Sequence, residues 1–185
     1  MAEIPLTRGM VAIVDEEDFD YLNQWSWCAS REDNGGEGAE NKIYYAVRGW
    51  REGKKQHQIT MHQQLAKFWG WQLKGREEID HEDTDGLNNR RPNLRRCLHR
   101  QNIQNRRKQR TYKGVNTSSK YKGVSRNKRR EKWEAYICLP YQKGRKRCLG
   151  LFEDEEQAAL AYNEAATNYF GEFARLNILR GYDGT

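Results

Sequence analysis

The chain has 185 residues, of which 36% are hydrophobic and 32% charged, with a mean hydropathy of −1.12. That balance is too polar for one large core and points to small modules in series, and the lack of any run of about 18 apolar residues excludes a membrane-spanning helix. The net charge of +7 conceals its layout: −7 over residues 1–85, +16 over 86–132 and −2 over 133–185, and a basic block that concentrated is an electrostatic footprint for a polyanion.

Taken in chain order, the opening M-A-E-I-P-L-T-R-G lacks the charged and apolar regions of a signal peptide, so a cytoplasmic location is expected. Val11 to Val14 reads as a short buried strand, and Phe19 and Leu22, three apart behind Asp15, read as one or two helical turns. Trp25 to Ala29 and Ile43 to Val47 read as partner strands around the turn E-D-N-G-G-E-G. A second hairpin turns at Arg51-Glu52-Gly53-Lys54 and returns through Gln56 to Met61. His62 to Gly70 is a short helix with Leu65, Phe68 and Trp69 on its apolar side. Cys28, Cys97, Cys138 and Cys148 form no C-x-x-C pair, so free buried thiols and no structural zinc are expected.

The segment from Ile79 to Arg107 carries the chemistry. Its order is Asp80-His81, a Gly/Asn/Pro-rich loop with Arg90 and Arg91, then Asn93-Leu94, then Asn102 and Asn105. A carboxylate beside a histidine, followed by amides on a helix, offers a hard-cation site next to a general base. The expected frame is a strand over 78–81, an irregular loop through Arg91, a strand over 93–97 and a helix over 99–108. Asp80 and His81 point to opposite faces of a regular strand, so a shared site requires a bend or bulge there. His62, at a strand end, reads as a structural polar contact, with a second catalytic histidine as the alternative. Asn105 reads as a helix-face or phosphate contact.

This run closely resembles the HNH nuclease motif, the ββα-metal module of phage and bacterial homing endonucleases. The resemblance implies Asp80 and Asn102 as metal ligands, His81 as general base and Asn93 as the residue that orients it. It also implies Mg²⁺ or Mn²⁺, one ion per active site, with a 5′-phosphate and a 3′-hydroxyl as products. A bacterial or phage-infected cell is the implied setting.

Residues 106–120 are basic and poor in apolar residues and read as a linker lying along a phosphate backbone, with Arg106 and Arg107 at its start. Beyond it, three strands near 123–126, 132–139 and 145–149 and a helix over 155–170 are expected. Asp154 and Gln157 mark the start of that helix and Gly171 its stop. Ala158, Ala159, Ala161, Ala165 and Ala166 give it a small-residue face. From Lys120 to Asn177 this segment looks like an AP2/ERF-type DNA-binding domain. In that family the exposed face of the sheet enters the major groove. The resemblance implies Lys122, Arg126, Trp133 and Arg147 as DNA contacts, with Lys128, Arg129, Arg130, Lys132, Arg145 and Lys146 as phosphate or base neighbours. Tyr136, Cys138 and Cys148 depart from the plant pattern, so its target preference does not transfer. Trp133 equally suits a core position beneath the sheet.

The expected molecule is therefore α+β. A β-rich region over 1–70 leads into an HNH module over 71–108, a basic linker over 109–119, an AP2-like three-stranded antiparallel sheet on one helix over 120–178, and a tail over 179–185. The expected activity is metal-dependent hydrolysis of double-stranded DNA, nicking one strand per site, by a monomer, with a dimer left open. The alternative is a sequence-specific DNA-binding regulator with an inactive HNH module. A structural RNA-binding protein has only charge and aromatics in its favour.

Overall fold

The computed structural model describes residues 1–32, 42–108, 110–112, 115–139 and 145–179. The turn expected at E-D-N-G-G-E-G and the last residues of the tail lie outside them, apart from Glu32. The chain divides into two compact units, Met1–His99 and Arg100–Thr185.

In the first unit, β1 (Ala2–Pro5) pairs antiparallel with β2 (Val11–Val14). The sequence showed β2 through its apolar run; β1, with a proline and a glutamate among four residues, carries no such signal. Helix α1 (Glu16–Asn23) buries Leu22 and Asp18. The next sheet has the order β3 (Cys28–Glu32), β4 (Ile43–Glu52), β5 (Lys55–Thr60). Gly53, at φ 58°, makes the turn between β4 and β5. Helix α2 (Met61–Phe68) starts in a capping box between Thr60 and Gln63, which satisfies two first-turn donors. The unit's core includes Ile4, Val14, Leu22, Trp27, Ala46, Met61 and Leu65, and Ile79 and Leu94 join it from a final hairpin. That hairpin is β6 (Glu77–His81) against β7 (Leu94–Leu98), registered from Glu77↔Leu98 to His81↔Leu94. Pro92 sits in a short 3-10 turn, Arg91–Asn93, that leads into β7. Helix α3 (His99–Asn105) follows, and the division between units falls at its first residue.

The second unit begins with the rest of α3. The expected bare linker is in part a small hairpin of β8 (Thr111–Tyr112) and β9 (Val115–Asn116). Thr117 closes it by donating its backbone N–H and its hydroxyl to the Arg110 carbonyl, at 2.8 and 3.1 Å. A three-stranded antiparallel sheet follows, in the order β10 (Val124–Asn127), β11 (Lys132–Cys138), β12 (Lys146–Phe152). Helix α4 (Glu155–Phe170) packs on it. Asp154 caps α4 by accepting from the N–H groups of Glu156 and Gln157, at 2.8 and 3.0 Å. Ala158, Ala159, Ala165 and Ala166 are buried against the sheet, and Gly123 lets the helix come close. A Cβ at Gly123 would stand 1.9 Å from the Tyr162 ring and 2.7 Å from the Tyr136 carbonyl oxygen.

The C-terminal stretch closes this unit. Asn177 treats Lys122 as a strand partner: its Oδ1 accepts from the Lys122 N–H at 2.7 Å and its Nδ2 donates to the Lys122 carbonyl at 3.0 Å. Asn163 in α4 makes the same two-way exchange with the backbone of Asn177. Leu179 then inserts into the core between α4 and the sheet.

Candidate functional site

His81 is the last residue of β6 and is 5% exposed. Its ring lies against those of His62 and Tyr45, at centroid distances of 4.9 and 5.7 Å. Burial pushes its pKa below the ordinary histidine value, opposed by Asn89 and by the Asp83 and Asp85 carboxylates, so the imidazole is neutral near pH 7. Asn89 Oδ1 stands 3.5 Å from His81 Nε2, while its Nδ2 donates to the Leu87 carbonyl at 3.1 Å. With the amide oriented that way, Nε2 carries the proton and Nδ1 is the basic nitrogen.

Asn93 does not orient the imidazole. Its Nδ2 donates to Asp83 Oδ1 at 3.0 Å and to the Asn88 carbonyl at 2.7 Å, and its Oδ1 accepts from the Asp83 N–H at 3.1 Å. It fastens the loop that carries Asn89, and Asn89 meets His81. The loop is also tied to β2: Ile13 N–H donates to the Leu87 carbonyl at 2.9 Å and Asn89 N–H to the Ile13 carbonyl at 2.7 Å. Gly86 presses on the neighbouring sheet, where a Cβ would stand 2.6 Å from the Tyr45 ring. The sequence offered N-N-R-R-P-N as undifferentiated loop. Only the pairing shows which asparagine faces His81.

Asp80 is 6% exposed and stands opposite Arg95 in the hairpin register. Arg95 donates to Asp80 Oδ2 through Nε at 3.2 Å and through a terminal nitrogen at 3.0 Å. The pairing runs without a bulge through His81↔Leu94, so Asp80 and His81 leave the strand on opposite faces. The bend that a shared site would require is absent from the β6–β7 register. Asn102 is half-buried on α3, and Asn105 is 3% exposed, which removes it as a phosphate contact. No group of three or more His, Cys, Asp or Glu side chains suited to a metal occurs among the described residues. The proposed donors fit Mg²⁺ or Mn²⁺ in kind. Asp80 is a buried carboxylate already paired with the Arg95 guanidinium, and Asn102 carries a neutral amide oxygen in the second unit.

The basic side chains divide by location. Arg91 holds Glu17 at 3.6 Å and lies 4.6 Å over the Trp69 ring, and Arg90 donates to Asn88 Oδ1 at 3.0 Å. Arg106 and Arg107 are exposed. Lys122 is half-buried and donates to the carbonyls of Gln104 and Arg106 at the end of α3. Burial and nearby Arg175 lower its pKa to about 8. It is a clamp on that helix end, where a lysine satisfies otherwise unpaired carbonyls.

Register decides which side of the AP2-like sheet each residue takes. Val124↔Ala135 and Arg126↔Trp133 share a face, and Trp133 and Phe152 pack on the core beneath α4. Arg147, opposite Ile137, donates to the Tyr169 hydroxyl in α4. Arg126, Trp133 and Arg147 therefore belong to the helix side and its edges rather than the open face. The open face presents Ser125, Asn127, Lys132, Glu134, Tyr136, Cys138, Lys146 and Cys148. Lys146 lies 4.0 Å over the Tyr136 ring, and Lys132 pairs with Glu153 at 2.7 Å. Lys128, Arg129, Arg130 and Arg145 are exposed. The four cysteines are free, and of them only Cys97 is buried, contrary to the expectation of buried thiols.

No family model matches the chain. Over 73 residues it is 42% identical to Dehydration-responsive element-binding protein 2D of Arabidopsis thaliana, covering 38% of this chain and 34% of that protein. Over 69 residues it is 44% identical to Ethylene-responsive transcription factor ERF122 of the same plant, covering 37% and 36%. The chain spans about a third of the length of these curated relatives. Together with the sheet and its single packed helix, these similarities support an AP2-like DNA-binding domain in a mixed α+β protein.

Proposed function

We propose that the chain binds double-stranded DNA through its AP2-like unit and hydrolyses a phosphodiester bond at His81. The observation that carries the hydrolytic part is His81 itself: neutral, buried, fixed by ring contacts on one side and by Asn89 on the other. A base so held needs no reorganisation before it accepts a proton. Its Nδ1 takes a proton from water, which attacks the phosphorus in line. Asn93 keeps the loop closed so that Asn89 stays on Nε2–H. The motif's metal positions are Asp80 in the first unit and Asn102 in the second; a bound Mg²⁺ or Mn²⁺ would supply charge compensation at the phosphate and the departing 3′ oxygen. With one site per chain, a monomer nicks.

A second reading, a sequence-specific DNA-binding regulator whose HNH module does not cut, is favoured by two observations. Both relatives are named as a transcription factor or an element-binding protein, and the regular β6–β7 register sends Asp80 and His81 to opposite faces. The test is conversion of supercoiled plasmid to nicked form with Mg²⁺, with Mn²⁺ and with chelator. Hydrolysis predicts metal-dependent nicking that falls about 10²- to 10⁴-fold in His81→Ala. Tight binding with no nicking under any of these conditions gives the regulator reading the lead.

A further inference from the structure

His62 follows Thr60 by two residues at the start of α2, and its ring plane lies at 88° to that of His81. Tyr45 flanks both rings, 5.6 Å from His62 and 5.7 Å from His81. Thr60 Oγ1 stands 3.0 Å from His62 Nε2. That same oxygen accepts the Gln63 N–H in the capping box, and it can donate to Nε2 or accept from it according to the His62 tautomer. Nδ1 is buried and has no hydrogen-bond partner among the described residues. A buried ring nitrogen without a hydrogen-bond partner is destabilising whichever tautomer is present. Burial and nearby His81 also push His62 down to about 3, so the ring is uncharged at working pH. A leucine would fill the same space without the orphaned nitrogen, so neither the helix start nor the core accounts for an aromatic ring here.

We propose that His62 is a positioning residue for His81, its ring forming the wall against which the basic imidazole is held. The inference rests on the hydrolytic reading of the His81 site. Because the ring contact is the device, a phenylalanine should replace it and an aliphatic side chain of similar volume should not.

The experiment compares the full chain with His62→Phe and His62→Leu, both of which keep a bulky apolar side chain at the position. Nicking kinetics are read together with DNA affinity and the imidazole resonances of His81 in ¹⁵N-labelled protein. The expected result is near-normal kcat in the Phe variant and a 10- to 100-fold lower kcat in the Leu variant. KM and DNA affinity should be unchanged in both, and the His81 ring signals broadened or doubled in Leu alone. Normal kcat in a folded Leu variant overturns the proposal, as does failure of Phe to rescue, which would assign the effect to the nitrogens. If the wild type does not nick DNA, the hydrolytic reading fails by itself. The resonances then decide separately whether His62 holds the His81 ring: unchanged signals in the Leu variant overturn that as well.

Discussion

Burial sets the charge states of His62 and His81, and it does so with a definite sign. Both have folded-state pKa values below the ordinary 6.5, that of His62 near 3. The unfolded chain therefore takes up protons near pH 6.5 that the folded chain refuses. The stabilising difference is complete above that pH and is lost as the pH falls toward 3, by at most roughly 1.4 kcal/mol per pH unit for each imidazole. Urea unfolding midpoints measured from pH 7.5 to 4 should drop less steeply in His62→Phe than in wild type. Equal slopes would mean that His62 is not buried as a neutral ring. Asn93 makes a second residue-scale case. Asn93→Ala removes three hydrogen bonds from one side chain and leaves loop groups without partners, so a loss of about 2–4 kcal/mol is expected. Nicking should fall with it, because Asn89 loses its anchor.

At the scale of elements, two close approaches hold the architecture together. Gly123, at φ 73° and under the Tyr162 ring, admits no side chain. Gly123→Ala should destabilise the second unit by about 3 kcal/mol or more and abolish DNA binding; a stable, DNA-binding variant would show that α4 can shift from the sheet. Lys122→Met should cost about 1–2 kcal/mol by freeing the α3 carbonyls, with DNA affinity falling less than in Lys146→Met. These elements were largely legible in the sequence. Pattern and caps gave β6, β7 and α3, and they gave β10, β11 and α4 to within a residue or so at each strand end. What failed was the parity of single residues. Arg126 was assigned to the open face by motif position and Trp133 was left between that face and the core, whereas the alternation of Val124 and Arg126 and of Trp133, Ala135 and Ile137 puts both on the side of the buried Val124, Ala135 and Ile137. His62 was read as a structural polar contact in preference to a second catalytic histidine, because nothing local in M-H-Q-Q-L-A shows that its ring meets a histidine 19 positions further on. Asn89 was missed for the opposite reason: it stands among several asparagines, and only the tie to Ile13 singles it out.

Across the whole molecule, charge is segregated along the chain, with +16 in residues 86–132 and −7 before them. If about six phosphates are neutralised, log affinity against log salt should fall with a slope of about −5. A slope near zero, measured by anisotropy on labelled duplex, would refute the role of the basic block. Preference for RNA over duplex DNA of similar length would count against the DNA reading as a whole. Asn177 brings a different kind of consequence. Because its amide stands in for a strand partner of Lys122, 55 residues earlier, the tail seals the sheet's first strand as a zip fastener is sealed by its end stop. A recombinant fragment trimmed just after the 3-10 turn at Gly171–Phe173 would keep every strand and the long helix yet lose that stop. Limited proteolysis should then open it from the Lys122 end, while a fragment extending past Leu179 should resist.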